Sequence, residues 1–161
     1  MAIDGNSTRV KDDLRQRLER ARAEFYSLLD SIEDSQWNLP SRLPKWTIGA
    51  TFAHICAGLG TIPLRMKSAR EGKPKQWMPR FVFDFVNTSL TKKLGRQYDR
   101  ISVRRYFDEQ YAAAVALLEG VQDSEWDLVS RTYIQRWTVQ ELFAYQPAHI
   151  AEHLDAIKAV L

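Results

Sequence analysis

The chain contains an echo of itself. Asp34 to Ser41 (DSQWNLPS) leads into KWTIGATFAHI, Lys45 to Ile55, and Asp123 to Ser130 (DSEWDLVS) leads into RWTVQELFAYQ, Arg136 to Gln146. Each copy has a turn-like Asp-Ser-x-Trp, a second tryptophan (Trp46, Trp137), a threonine, a β-branched residue, and then Phe-Ala at the same offset. His54 thereby stands opposite Tyr145. The two copies differ in length between their tryptophans, as loops do. Two copies are too few for a solenoid, which needs about three units to bury a continuous core. The echo therefore predicts a duplicated helix hairpin.

The remaining sequence supplies the other helices. Val10, Leu14, Leu18, Ala21, Phe25, Leu28, Leu29 and Ile32 keep a helical period with charged residues between them. Asn6, Ser7 and Thr8 offer caps for this first helix. A second is expected from Thr47 to about Arg70, and a third from Ser102 to Glu119, stopped by Gly120. The fourth begins at Thr138, where Thr138 and Glu141 form a capping box, and runs to the end of the chain. No alternating stretch with turn chemistry stands out, so essentially no strand is expected. Between the second and third helices lies a long connection broken by Gly72, Pro74, Pro79 and Gly95. Within it, Pro79 to Leu94 reads as a short accessory helix with proline at its start. The expected fold is all-α: one domain, residues 1–161, a four-helix bundle of two hairpins joined by a long crossover.

Composition narrows the function classes. A chain of 161 residues suits one domain with a sizeable core. No apolar run is long enough to span a bilayer, and the N-terminus MAIDGNSTR is polar, so neither a membrane span nor a signal peptide is expected. The single Cys56 excludes an internal disulfide framework and suits a reducing compartment, the cytoplasm by default. Net charge is +3, yet Arg65 to Arg105 holds twelve Lys/Arg against three Asp/Glu. A basic crossover on an acidic bundle can attract an anionic small molecule, or can simply be a solvated loop. Nucleic acid is not expected as a partner, because no recognition motif is present and the acidic remainder repels phosphates.

Only three histidines occur, His54, His149 and His153. The last two form an HxxxH pair, one turn apart on one helix face, and can offer two nitrogens to one divalent ion. His54 lies in the matched segment of the other copy. Three neutral imidazoles leave the positive character of an ion undiminished and leave open positions for water and substrate. The competing reading is that an HxxxH pair only satisfies local hydrogen bonds. The small residues around His54 (Thr47, Ala50, Thr51, Gly58, Thr61) either leave room for a ligand or let two helices pack closely. Pro147 should kink the fourth helix just before His149. Tyr145, one turn before His149, is a candidate to hydrogen-bond substrate, and Glu152 a candidate base or orienting group; packing and a solvated face are their plainer roles. Cys56 points away from His54 and reads as a small buried residue. Trp37, Trp46, Trp126 and Trp137 read as anchors for the turns.

KWTIGATFAHI and AHIAEHL, in this order and spacing, resemble the DinB-like (YfiT-like) metalloproteins, relatives of the N-terminal domain of mycothiol-dependent maleylpyruvate isomerase. The resemblance spans nearly the whole chain. It implies a bundle in up-down-down-up order, often dimeric, with a divalent ion such as zinc or nickel on His54, His149 and His153. It further implies a thiol S-transferase, isomerase or hydrolase acting on a small electrophile, with a low-molecular-weight thiol as a candidate co-substrate. Arg65, Arg80 and Arg96 are then candidates to hold the carboxylates of that thiol. The rival expectation is a non-catalytic helical binding or dimerisation module whose metal is structural or incidental.

Overall fold

The computed structural model describes residues 5–72, 78–131 and 136–161. Four helices form the bundle: α1 (Gly5–Ser31), α2 (Ile48–Leu59), α5 (Arg100–Glu119) and α6 (Val139–Lys158). Two more, α3 (Ile62–Glu71) and α4 (Arg80–Gln97), occupy the middle connection. A short antiparallel ribbon, β1 (Val129–Arg131) with β2 (Arg136–Thr138), leads into α6.

Each bundle helix contributes one fully buried phenylalanine: Phe25, Phe52, Phe107 and Phe143. Phe25 stacks on Phe107 with centroids 3.9 Å apart and meets Phe52 edge-on at 5.2 Å. Burial of one such ring stabilises by about 1.5–3 kcal/mol. Helix α1 packs alongside α5 and α6, and α2 packs alongside the same two. The two helices of each copy therefore face each other across the core, and side-by-side packing is between copies. Both linkers carry the Asp-Ser-x-Trp turn as a short 3₁₀ helix, Asp34–Gln36 and Asp123–Glu125. Trp37 and Trp126 are buried after these turns, and Trp37 Nε1 donates to the Tyr98 carbonyl at 3.1 Å.

Several boundaries differ from the sequence expectation, each for a local reason. Helix α1 begins at Gly5, so Asn6, Ser7 and Thr8 lie inside its first turn rather than ahead of it. The helix expected from Thr47 to Arg70 is two helices. Thr47 does cap the first, its Oγ1 accepting from Ala50 N at 3.1 Å. Pro63 has no N–H to return to the Leu59 carbonyl, so α2 ends there and α3 restarts with Pro63 in its first turn. Helix α5 starts at Arg100, two residues earlier than expected, because Asp99 and Ser102 cap each other reciprocally at 2.7 and 2.9 Å. The Thr138–Glu141 box is present at the start of α6, which runs without a break through Pro147 and ends at Lys158.

Two expectations about the connections are corrected. Strand is present: Val129 pairs with Thr138, Ser130 with Trp137 and Arg131 with Arg136. Strands of three residues are too short to show a period of two in sequence. The accessory helix expected over Pro79 to Leu94 is present as α4, with Pro79 as its N-cap and three further residues at its end, and it lies along α2. Gly95, expected to break it, sits inside it: a Cβ there would come within 2.5 Å of Ala50 Cβ, so the glycine permits close approach to α2. Gly72 does end α3, at φ 63°. Pro74 lies outside the described residues. Among the described residues, no helix is long and apolar enough to cross a membrane.

Candidate metal centre

The contact between α2 and α6 brings all three histidines together. His54 projects from α2, and His149 and His153 from successive turns of α6; one ring nitrogen of each lies within 4.8 Å of the others. His149 Nε2 and His153 Nε2 are 2.9 Å apart. Two nitrogens bound to one zinc-like ion at 2.0–2.1 Å sit about 3 Å apart, so this pair already has the spacing of adjacent ligands. His54 Nδ1 is hydrogen-bonded to Thr91 Oγ1 of α4 at 3.1 Å. That bond occupies one ring nitrogen and leaves Nε2 for coordination, the arrangement by which outer partners orient ligating histidines.

Burial sets the charge state. His153 is buried, and His54 and His149 are half-buried. Desolvation, and then the neighbouring His153, lower the pKa of His54 to about 3. Desolvation likewise lowers His149 to about 3, aided by His153, His54 and Arg65. Burial lowers His153 as well, opposed by Glu152. All three imidazoles are therefore neutral at neutral pH, the form that ligates a metal. The Nδ1 of His153 is buried with no hydrogen-bond partner among the described residues. Three converging neutral imidazoles, one of them hydrogen-bonded to Thr91, fit a divalent metal cation.

Aromatic rings wall the cluster. Trp46 lies 4.5 Å from His54 and 6.0 Å from His153, centroid to centroid. Its counterpart in the echo, Trp137, lies at the same 4.5 Å from Tyr145, and Tyr145 at 5.3 Å from His149. Only Trp37 and Trp126 act as the turn anchors expected of all four; Trp46 and Trp137 belong to the site. Tyr145 is 36% exposed, so its ring is both a wall and an accessible surface. Burial and Glu152 raise its pKa. Glu152 is exposed on the same flank, and its charge reaches His153 and Tyr145.

The small residues of α2 serve packing. A Cβ on Gly58 would lie 2.8 Å from His149 Cε1, and one on Gly49 would lie 2.4 Å from the Trp37 ring. Ala50 receives Gly95. Thr51 donates to the Thr47 carbonyl at 2.9 Å and is fully buried. Cys56 is buried as expected, its Sγ directed at the Phe52 carbonyl, and burial pushes its thiol well above the usual range.

Of the three basic candidates, Arg65 reaches the site: its guanidinium lies 4.5 Å above the Trp137 ring. Arg80 is instead on the exposed side of α4 opposite Asp84, and Arg96 is exposed. Thr91 had no signal in the sequence, because nothing local marks a threonine in the crossover as the partner of a histidine in α2. Trp46 had one, since its place ahead of His54 mirrors that of Trp137 ahead of Tyr145.

The profile of the DinB superfamily matches residues 17–157. The chain belongs to the DinB superfamily. Solved structures share the fold. YfiT from Bacillus subtilis, described as a probable metal-dependent hydrolase with an unusual four-helix bundle topology, is 19% identical. It matches with a TM-score of 0.73 over 92% of this chain and 84% of that one. Mycothiol-dependent maleylpyruvate isomerase is 15% identical, with a TM-score of 0.70 over 89% of this chain. The present chain covers only 60% of the length of that isomerase. The colibactin self-resistance protein ClbS, in complex with double-stranded DNA, is 13% identical, with a TM-score of 0.68 over 93% and 94% of the two chains. Among functionally curated proteins, none is similar enough in sequence to match this chain. At these identities the likeness establishes the bundle; what the site does rests on its own residues.

Proposed function

We propose that this DinB-superfamily chain is a divalent-metal-dependent enzyme, a thiol S-transferase or a hydrolase, acting on a small electrophilic molecule. The observation that carries the reading is the convergence of His54, His149 and His153, neutral and within 4.8 Å of one another. These three residues would hold the ion. Once bound, it would supply Lewis acidity and lower the pKa of a coordinated water or thiol. The protein's own contributions are separable from that chemistry. Thr91 is hydrogen-bonded to the His54 ring, and Trp46, Trp137 and Tyr145 line one side of the cluster. The accessibility of Tyr145, one turn before His149, supports a role for it in meeting a substrate. No protein thiol competes as nucleophile, because Cys56 is buried and turned to backbone carbonyls.

YfiT, described as a probable metal-dependent hydrolase, and the mycothiol-dependent isomerase support the small-molecule reading. A DNA complex exists for one similar protein, but a compact aromatic-walled cluster suits a small ligand better than a duplex. Zinc or nickel, a low-molecular-weight thiol and a cytoplasmic setting belong to the same proposal. So does a homodimer, for which α4 offers a face: Phe81 and Phe85 are 75% and 73% exposed, beside Val86 and Leu90.

The test is metal content by elemental mass spectrometry on untagged protein, beside His54→Ala and His149→Ala. About one ion per chain in the parent and little in either variant supports the site and justifies screening thiol conjugation and hydrolysis. A parent that takes up neither zinc nor nickel when they are supplied overturns it.

A further inference from the structure

Arg65 is half-buried on α3, yet no carboxylate among the described residues pairs with it. Every other described arginine is either paired with a carboxylate or exposed to solvent. Arg15, Arg17, Arg22, Arg70, Arg80, Arg100 and Arg104 each face an aspartate or glutamate. An arginine withdrawn from water without an anion carries an uncompensated desolvation cost. Its face is taken: the guanidinium lies 4.5 Å over the Trp137 ring. A stacked guanidinium keeps its N–H donors in the plane of the group, where they are free to grip a planar anion at two points. No hydrogen bond to a described residue uses them.

The position connects this cation to the histidine cluster. From Arg65 the contacts run to Trp137, to Tyr145 at 4.5 Å from Trp137, and to His149 at 5.3 Å from Tyr145. The charge of Arg65 is felt at both Tyr145 and His149. Glu152, the acid on this flank, acts on Tyr145 and His153 and is not among the groups acting on Arg65. Trp137 lies in β2, just ahead of the Thr138 cap, where its ring meets Tyr145 of α6, and the break at Pro63 brings α3 across to them.

We infer that Arg65, seated on Trp137, is the recognition point for a carboxylate on the substrate, or on the thiol, that occupies the histidine cluster. This deepens the proposed function and rests on it for the identity of the reacting site. A single guanidinium on an aromatic platform matches one planar monoanionic group. A phosphate dianion is ordinarily met by more than one donor group, such as a helix N-terminus or a cluster of cations. The small molecule is therefore anionic at one end and reacts at the other.

The experiment is calorimetric titration of succinate into metal-free and nickel-loaded protein, for the parent, Arg65→Met and Arg65→Lys. Succinamide and inorganic phosphate serve as controls. Metal content is measured separately on each sample. The inference expects succinate to bind the parent, with tryptophan fluorescence changing in step, and succinamide not to bind. Arg65→Met should bind about 10–100-fold more weakly at unchanged metal content, the worth of a charge-assisted contact. Arg65→Lys keeps the charge and loses the planar fork, and should bind at least several-fold more weakly. Equal binding by the parent and Arg65→Met overturns the assignment, as does a parent that ignores succinate or prefers phosphate. Should Arg65→Met not fold, Arg65→Lys decides, and affinity equal to the parent overturns it. A chain that takes up no metal sinks the enzyme reading, while succinate binding by the metal-free protein still reports on Arg65 alone.

Discussion

Gly58 and His149 occupy equivalent positions in the two copies of the echo, and in the folded protein they touch: a Cβ on Gly58 would lie 2.8 Å from His149 Cε1. The ring that one copy contributes to the cluster rests on the bare backbone of the other. Gly58→Ala should therefore displace His149 while the rest of α2 remains helical, since alanine is the better helix former. Metal affinity is expected to fall about 10–100-fold, the usual cost of disturbing what orients a ligand. Zinc competition against a colorimetric chelator measures this, and an unchanged affinity would show that the ring has room to move.

Thr91 offers a cleaner separation of site from fold. Thr91→Val keeps the shape and removes the hydroxyl that meets His54 Nδ1 at 3.1 Å. Loss of one hydrogen bond costs stability about 1 kcal/mol. Metal affinity should drop by about 10-fold or more, because the His54 ring loses its orienting partner. Nitrogen-15 NMR of the imidazoles would show His54 sampling both tautomers in the variant. A single fixed tautomer there would refute the role assigned to Thr91.

Acid should unfold the metal-free protein through the same histidines. His54 and His149 have folded pKa values of about 3, below the unfolded value near 6.5, so the unfolded chain binds protons more readily. Their contribution to stability is complete above about pH 6.5 and is lost progressively as the pH falls toward 3. Urea midpoints taken from pH 7.5 to pH 4 should decline over this window. The decline should be shallower in His54→Gln, and a parent whose midpoint is flat between pH 6.5 and 4.5 would contradict the burial assigned to these rings.

Lys45, immediately before Trp46, holds φ at 73°, a left-handed conformation that costs a side-chain-bearing residue about 1–2 kcal/mol. Lys45→Gly should relieve this strain, set against the greater entropy that glycine gains on unfolding. Stability should rise by about 0.5 kcal/mol, with metal content unchanged. A loss of stability in chemical denaturation would mean that the lysine side chain holds the turn.

Loaded metal should stabilise the fold by mass action. At a free concentration about 1,000 times the dissociation constant the gain is about 4 kcal/mol. For a chain of this size that corresponds to roughly 8–16 °C in melting temperature. Calorimetric scans with and without nickel, for the parent and His153→Ala, test it. A shift of equal size in His153→Ala would place the ion elsewhere.

The local pattern of residues was enough to determine much of this protein. The periodic apolar residues of α1, the box of Thr138 with Glu141 and the stop at Gly120 are near-neighbour effects, and each appears where the chain order places it. The pairing of His149 with His153 is likewise a property of one helix turn. The echo, too, is visible without a structure, and with it the matched place of His54. What the sequence left open depends on residues far apart along the chain. Which helices lie side by side is settled by packing between copies, α2 against α5 and α6, and not by the loops that join them. Thr91 becomes the partner of His54 only because Gly95 lets α4 approach Ala50. The small residues of α2 were ambiguous until the rings that fill them were seen, His149 over Gly58 and Trp37 over Gly49. Arg65 is one of many basic residues in the crossover until the break at Pro63 sets it on Trp137. A helix turn or a cap is decided by atoms a few residues apart, and is therefore written locally. A site formed between α2, α3, α4 and α6 is decided by close contact between surfaces, and only the folded chain supplies it.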